Sequence, residues 1–223
     1  MKPLLSFSAC AVVALVFAGI VPFDSRGVAT LAQGGQRTPE EFAKFLEGAD
    51  RVARMQVSRV VKTLELKPGM KVADIGAGSG LFTRPIAKAI EPGGIAYAVD
   101  IDPGLLKIVE RGAASEKIAN ITAIQATAAD PRLPEPVDLA FVCDTLHHIE
   151  KPDVYLQTLK KYLTSDGRIA VIDFTERWPQ GHEKMRYSLD QFDGWMKAAG
   201  MTRVASHDWL DNSFFVIYRM RSE

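Results

Sequence analysis

From residue 71 onward, short apolar runs alternate with segments of helical periodicity, and no other feature limits the possible folds as much. The apolar runs cover residues 71–75, 95–100, 121–125, 137–143 and 168–173. Helical patterns occupy 81–90, 104–113, 154–163 and 188–199. Parallel strands need crossover connections, and strands buried on both faces read as continuous Val/Ile/Ala runs instead of alternating ones. The expected class is therefore α/β, a doubly wound, Rossmann-like, mostly parallel sheet. Residues 202–208 and 213–218, joined by the short link Trp209-Leu210-Asp211-Asn212, suit an antiparallel hairpin at the end. The hairpin brings the sheet to seven strands.

Ahead of this region, Thr38-Pro39-Glu40-Glu41 supplies an N-cap, a proline at the first helical position and a capping-box glutamate. Apolar residues from Phe42 to Leu64 recur at three and four, so one or two amphipathic helices follow and end at Lys67-Pro68-Gly69. Residues 4–21 form an uncharged run broken only by Ser6 and Ser8, placed after Lys2. That is a signal-peptide layout, with cleavage expected after Ala32 or Ala29. An uncleaved membrane anchor stays open, because eighteen residues is the lower limit for a span. Either way the remainder is expected outside the cytoplasm, touching a membrane only through this segment. The organisation read from the sequence is residues 1–32 as signal or anchor, 33–66 as linker and N-terminal helices, and 67–223 as the functional domain.

Lys+Arg 27 balance Asp+Glu 27, so no net field draws in nucleic acid. Of the two cysteines, Cys10 lies in the leader and Cys143 ends an apolar strand. This excludes an internal disulfide framework and makes Cys143 a buried small residue, not a nucleophile.

The chemistry concentrates in Val72-Ala73-Asp74-Ile75-Gly76-Ala77-Gly78-Ser79-Gly80, a strand entering a glycine-rich turn and then a helix. Such a turn lets backbone approach a ligand closely, and the helix start presents unpaired N–H groups. A dinucleotide site would need G-x-G-x-x-G, but Leu81 stands where the third glycine should be. Asp74, just ahead of the glycines, would repel a pyrophosphate and attract an ammonium group. Both points oppose an NAD-type oxidoreductase. Asp100, twenty positions after Gly80 at the end of the next strand, stands where such folds bind ribose hydroxyls. A nucleoside with an amino-acid tail is implied, and S-adenosyl-L-methionine is the obvious one.

The blocks VADIGAGSG and AYAVDIDP at this separation resemble the class I S-adenosylmethionine-dependent methyltransferases, over about Leu64 to Asp173. The resemblance implies cofactor contacts from Asp74, Gly76, Ala77, Gly78, Gly80, Asp100 and Ile101, with Asp144 in the segment passing the methyl-donor sulfur. The family's acidic adenine contact should fall at Ala129. Here Asp130 comes one position later, and it either takes that contact or caps the turn before Pro131.

Leu146-His147-His148-Ile149 follows strand four, where small-molecule methyltransferases carry a histidine pair. Methyl transfer from a sulfonium needs alignment and water exclusion, with a base only when the acceptor must lose a proton. His147 or His148 is the candidate base. The alternative is structural: one histidine caps the next helix and the other packs under the sheet. No third ligand stands at a fixed spacing, so no metal is expected. Asp173, His182, Arg186 and Tyr187 lie where the family builds its acceptor side, although a solvated arginine is the default for Arg186. The leading expectation is an exported methyltransferase for a small-molecule acceptor. The alternative is an exported, non-catalytic module that binds the nucleoside, and cofactor turnover separates the two.

Overall fold

The computed structural model describes residues 37–221. The leader and its cleavage sites lie outside the described residues. Among those described, no helix is long and apolar enough to cross a membrane.

The strands are β1 Lys71–Ile75, β2 Ile95–Asp100, β3 Ile121–Gln125, β4 Val137–Cys143, β5 Leu163–Phe174, β6 Met201–His207 and β7 Ser213–Met220, each on an expected run, although β5 begins at Leu163, well ahead of the run at 168–173 and at the end of the segment expected to be helical. They make one seven-stranded sheet in the order β3-β2-β1-β4-β5-β7-β6. The first five are parallel to one another, whereas β7 runs antiparallel to both β5 and β6. The expected C-terminal hairpin is present. Its second strand, β7, inserts between β5 and β6, and local pattern had not shown that order.

Successive residues of a strand face opposite sides, and here both sides are buried. On one side Ala73, Ile75, Val99, Ala140 and Val142 pack with residues of the helices α6 (Pro152–Lys160) and α7 (Leu189–Ala198), among them Leu156 and Phe192. On the other, Val72, Ala96, Leu139, Phe141 and Ile172 pack with Met55 of α2 (Ala49–Met55), Val60 of α3 (Val57–Thr63) and Ile86 of α4 (Thr83–Ala89). This explains why strands 1 and 4 read as mostly continuous apolar runs, broken only by Lys71, Asp74 and Asp138. The long helix α5 (Pro103–Ser115) starts at Asp102, whose side chain accepts a hydrogen bond from Gly104 N at 2.7 Å.

The N-terminal helical stretch breaks into three helices. Helix α1 (Pro39–Leu46) carries the expected capping box between Thr38 and Glu41. The chain then turns at Gly48, and again at Gln56, which adopts φ 43°. These helices join the core: Arg168 donates to the Leu64 carbonyl at 2.7 Å, and Arg111 of α5 pairs with Glu40 of α1.

Candidate functional site

The order of strands reverses at β1, which lies between β2 and β4, and in open α/β sheets ligands bind at the carboxyl ends of strands beside such a switch point. The loops leaving β1, β2 and β4 carry nearly all the candidate residues.

After β1 the backbone bends back onto β2. Gly76 N and Ala77 N both donate to the Val99 carbonyl, at 2.8 and 3.0 Å. Gly78 N donates to Asp100 Oδ2 at 2.9 Å. Gly76, Gly78 and Gly80 have φ of 74°, 55° and 81°, conformations that favour glycine. A side chain at Gly76 would run into Thr145, and one at Gly78 would meet the tip of Leu46 on α1 at 2.7 Å. Helix α1 therefore roofs the glycine turn.

Asp74 is almost fully buried and accepts from the Thr83 hydroxyl at 2.5 Å. Burial outweighs that bond and lifts its pKa to about 7, with the Asp100 carboxylate adding to the rise. Asp100 also accepts from Asp102 N at 3.0 Å, and burial raises its pKa too. Asp100 thus serves first as the anchor of the glycine loop, and its remaining lone pairs are what it has for ribose hydroxyls. Ile101 beside it is exposed.

On the other side of the switch point, Asp144 ends β4 with φ 49°. Its Oδ2 accepts from Arg51 of α2 at 2.9 Å, while its Oδ1 is buried without a partner. Burial again pushes the carboxyl upward, more than Arg51 pulls it down. Ser79 Oγ, in the glycine turn, is the other buried orphan here. Three desolvated carboxylates, Asp74, Asp100 and Asp144, thus end three neighbouring strands. Among the described residues, Arg51 is the one cationic side chain that pairs with any of them.

Asp130 resolves into its turn reading. Its Oδ1 accepts from Arg132 N at 2.7 Å and from the Tyr162 hydroxyl at 2.8 Å. Of the two alternatives for Asp130, the turn contact is the one the structure displays, with the side chain directed toward Tyr162 in the β3–β4 connection.

The histidine pair occupies a short 3-10 turn, Leu146–His148, at the carboxyl edge of the sheet. His147 is buried, and its Nδ1 lies 2.8 Å from Asp173 Oδ1 at the end of β5. Asp173 also accepts from Phe174 N at 2.9 Å and from the Tyr187 hydroxyl at 2.7 Å. Phe174 and Trp178 flank the His147 ring, each with its centroid 5.5 Å away. His148 is half-buried, and desolvation together with the neighbouring histidines lowers its pKa to about 4. Neither histidine caps α6, whose N-cap is Lys151. His182 and Tyr187 join this cluster, whereas Arg186 is solvent-exposed, as the default had it. Cys143 is buried with its thiol pKa pushed up, so it is not a nucleophile. One participant escaped the sequence reading, and another was named there without its partners. Arg51 was indistinguishable from a solvated helix arginine, and His182 was not connected with the histidine pair because no fixed spacing links them.

A sheet of this order with its acidic residues at these strand ends defines the class I methyltransferase-type α/β fold. Residues 73–169 match the family model described as a methyltransferase domain. In structure the chain is similar to an S-adenosylmethionine-dependent methyltransferase from Aquifex aeolicus, with TM-score 0.73 and 22% identity, over 83% of this chain and 100% of that one. It is also similar to the magnesium protoporphyrin IX methyltransferase ChlM from Synechocystis PCC 6803, solved with bound cofactor, at TM-score 0.62 and 19% identity over 85% and 87% of the two chains. Among curated sequences it matches the ubiquinone/menaquinone biosynthesis C-methyltransferase UbiE of Burkholderia multivorans, 27% identical over 113 residues, which is 51% of this chain and 46% of that protein. The match thus spans about half the length of that relative.

Proposed function

We propose that this chain is an S-adenosyl-L-methionine-dependent methyltransferase acting on a small, ring-bearing acceptor. The observation that carries the reading is the trio of desolvated carboxylates at the ends of β1, β2 and β4, answered by a single arginine. A ligand with a sulfonium and an ammonium group supplies the missing positive charge. Asp74 stands nearest the glycine turn to take the ammonium. Asp100 holds the Gly78 amide and has lone pairs left for ribose hydroxyls, and the orphaned Asp144 Oδ1 and Ser79 Oγ are further polar contacts for the same molecule. When bound, the cofactor supplies an activated methyl group.

The chain's own contribution is alignment and proton handling. Phe174, Trp178 and Tyr187 surround the buried His147–Asp173 pair with aromatic rings, a wall suited to a flat acceptor from which water is excluded. Asp173 fixes His147 as the Nδ1–H tautomer, so a proton taken from the acceptor is held at Nε2. His148, held neutral and weakly basic, is a poorer base at neutral pH. The UbiE relatives are named for C-methylation in quinone biosynthesis, which fits a ring-bearing acceptor here.

The test is calorimetric binding of S-adenosylmethionine to the purified chain, followed by release of S-adenosylhomocysteine with pools of phenolic and quinol-type compounds. Binding with turnover is the expected result. Binding without turnover on any pool returns the non-catalytic module, and absence of binding ends the reading.

We also propose that the domain works outside the cytoplasm, a reading supported by the uncharged run of residues 4–21 and the small residues up to Ala32. N-terminal sequencing of protein recovered from the periplasmic and membrane fractions tests it. Recovery of the intact chain in the cytoplasmic fraction would refute it.

A further inference from the structure

The chain brings a third histidine to the pair that the sequence had left without a metal partner. His147, His148 and His182 each offer one ring nitrogen, and these three atoms lie within 4.8 Å of one another. The ring centroids form a near-even triangle, with separations of 4.1, 5.1 and 5.2 Å and mutual tilts of 44°, 76° and 65°. Rings that share one ion must be tilted in this way, since parallel stacking would aim their nitrogens apart.

We propose that His147, His148 and His182 form a three-imidazole site for a divalent transition-metal ion, with Zn²⁺ the best match to the ligand type and a fourth position left open. Three observations support it beyond proximity. First, two of the three rings already have their other nitrogen engaged in the way metal-bound imidazoles do: His147 Nδ1 at 2.8 Å from the Asp173 carboxylate, and His182 Nδ1 at 3.1 Å from the Pro179 carbonyl. These contacts fix the tautomers and make Nε2 the candidate ligand atom of each ring. Secondly, Asp173 is fully buried, and its partners are His147, the Phe174 amide and the Tyr187 hydroxyl, with no Lys or Arg among the described residues. A cation on His147 would compensate that charge. Thirdly, most of the cluster stands beside the sheet, because His147 and His148 lie in the short turn just after the central strand β4 and Asp173 lies in β5, its pairing partner, while His182 comes from the connection after β5.

Tetrahedral zinc with Zn–N of about 2.0–2.1 Å needs nitrogens about 3.4 Å apart. The nitrogens of His147, His148 and His182 lie within 4.8 Å of one another, so on ion binding they would have to draw together. Three protein ligands with an open fourth position is the pattern of catalytic zinc, not of structural zinc. An acceptor hydroxyl or thiol bound there would lose its proton to solvent more readily, a role that replaces the base function of His147 when the ion is present. This last step rests on the methyl-transfer reading, but ion binding does not.

The experiment uses the full chain without an affinity tag, stripped with a chelator and dialysed, in the absence of S-adenosylmethionine. Zn²⁺ is titrated in competition with a chromophoric chelator, and retained metal is counted by elemental mass spectrometry. The expected result is one equivalent per chain. Asp173→Asn should weaken binding about ten- to a hundredfold, and His182→Ala more than that. His207→Ala, at the remaining histidine of the sequence, should leave binding unchanged. Co²⁺ substitution gives a readout that needs no variant to fold, and intense visible bands of tetrahedral cobalt are expected. Retention of well under one equivalent, equal affinity in a folded His182→Ala protein, or only the faint bands of six-coordinate cobalt would overturn the site.

Discussion

Asp100 Oδ2 accepts a hydrogen bond from Gly78 N at 2.9 Å, so the carboxylate read as a ribose acceptor is also the clamp that holds the glycine turn closed. The end of β2 and the loop after β1 are thereby one device.

Replacing Asp100 with Ala removes both functions. A charge-assisted contact to hydroxyls contributes about 1.5–3 kcal/mol, and calorimetry should show S-adenosylmethionine affinity falling by at least that amount. Thermal melting should also register the freed Gly78 amide. Unchanged affinity would show that the ribose lies elsewhere. Gly78→Val should abolish binding more completely, because φ 55° and Leu46 both oppose a branched side chain.

Asp74 makes cofactor binding pH-dependent. Its carboxyl is raised from 3.8 to about 7, chiefly by burial. A raised acid contributes stability that is fully present below its unfolded pKa, near 4, and lost as pH rises through its folded value, near 7. The ligand-free protein therefore gives up this contribution across that window, where the carboxylate charges without a counter-ion. A cationic ligand favours the charged form, so affinity should rise from pH 5.5 to pH 7.5 with proton release on binding. Calorimetry in buffers of different ionisation enthalpy measures that release, and Asp74→Asn should remove it.

His147→Ala should lower turnover by about a hundredfold or more while leaving cofactor affinity nearly intact, if its Nε2 receives the acceptor's proton. Asp173→Asn should lower kcat as well, by releasing the tautomer that the 2.8 Å contact sets. Loss of melting temperature with full turnover would make the pair purely structural.

Arg51→Met leaves Asp144 buried without its cation, at side-chain exposures of only 14% and 12% for the two partners. Removing one member of such a pair costs about 3 kcal/mol or more unless the carboxyl protonates. Urea denaturation at pH 7.5 should show the loss, and it should shrink at lower pH as Asp144, whose pKa is already raised by burial, takes up a proton. Equal losses at pH 7.5 and at lower pH would show that the effect is packing alone.

The features legible in the sequence are those that depend on near neighbours along the chain. Strands β1 to β4 fall on the expected residues, and for the central β1 and β4 this is because burial on both faces requires a largely apolar run, which Val72 to Ile75 and Val137 to Cys143 supply apart from Asp74 and Asp138. Asp74, the glycines and Asp100 were recognisable because a strand, a turn and a helix N-terminus fix their separation. The tertiary structure alone decided what distant segments do to one another. It set β7 between β5 and β6, turned Asp130 toward Tyr162, paired Arg51 with Asp144 and carried His182 to the histidines after β4. No periodicity encodes such meetings. They follow from how helices and loops settle on a finished sheet, where a side chain's partner is chosen by packing in space and not by its place in the chain.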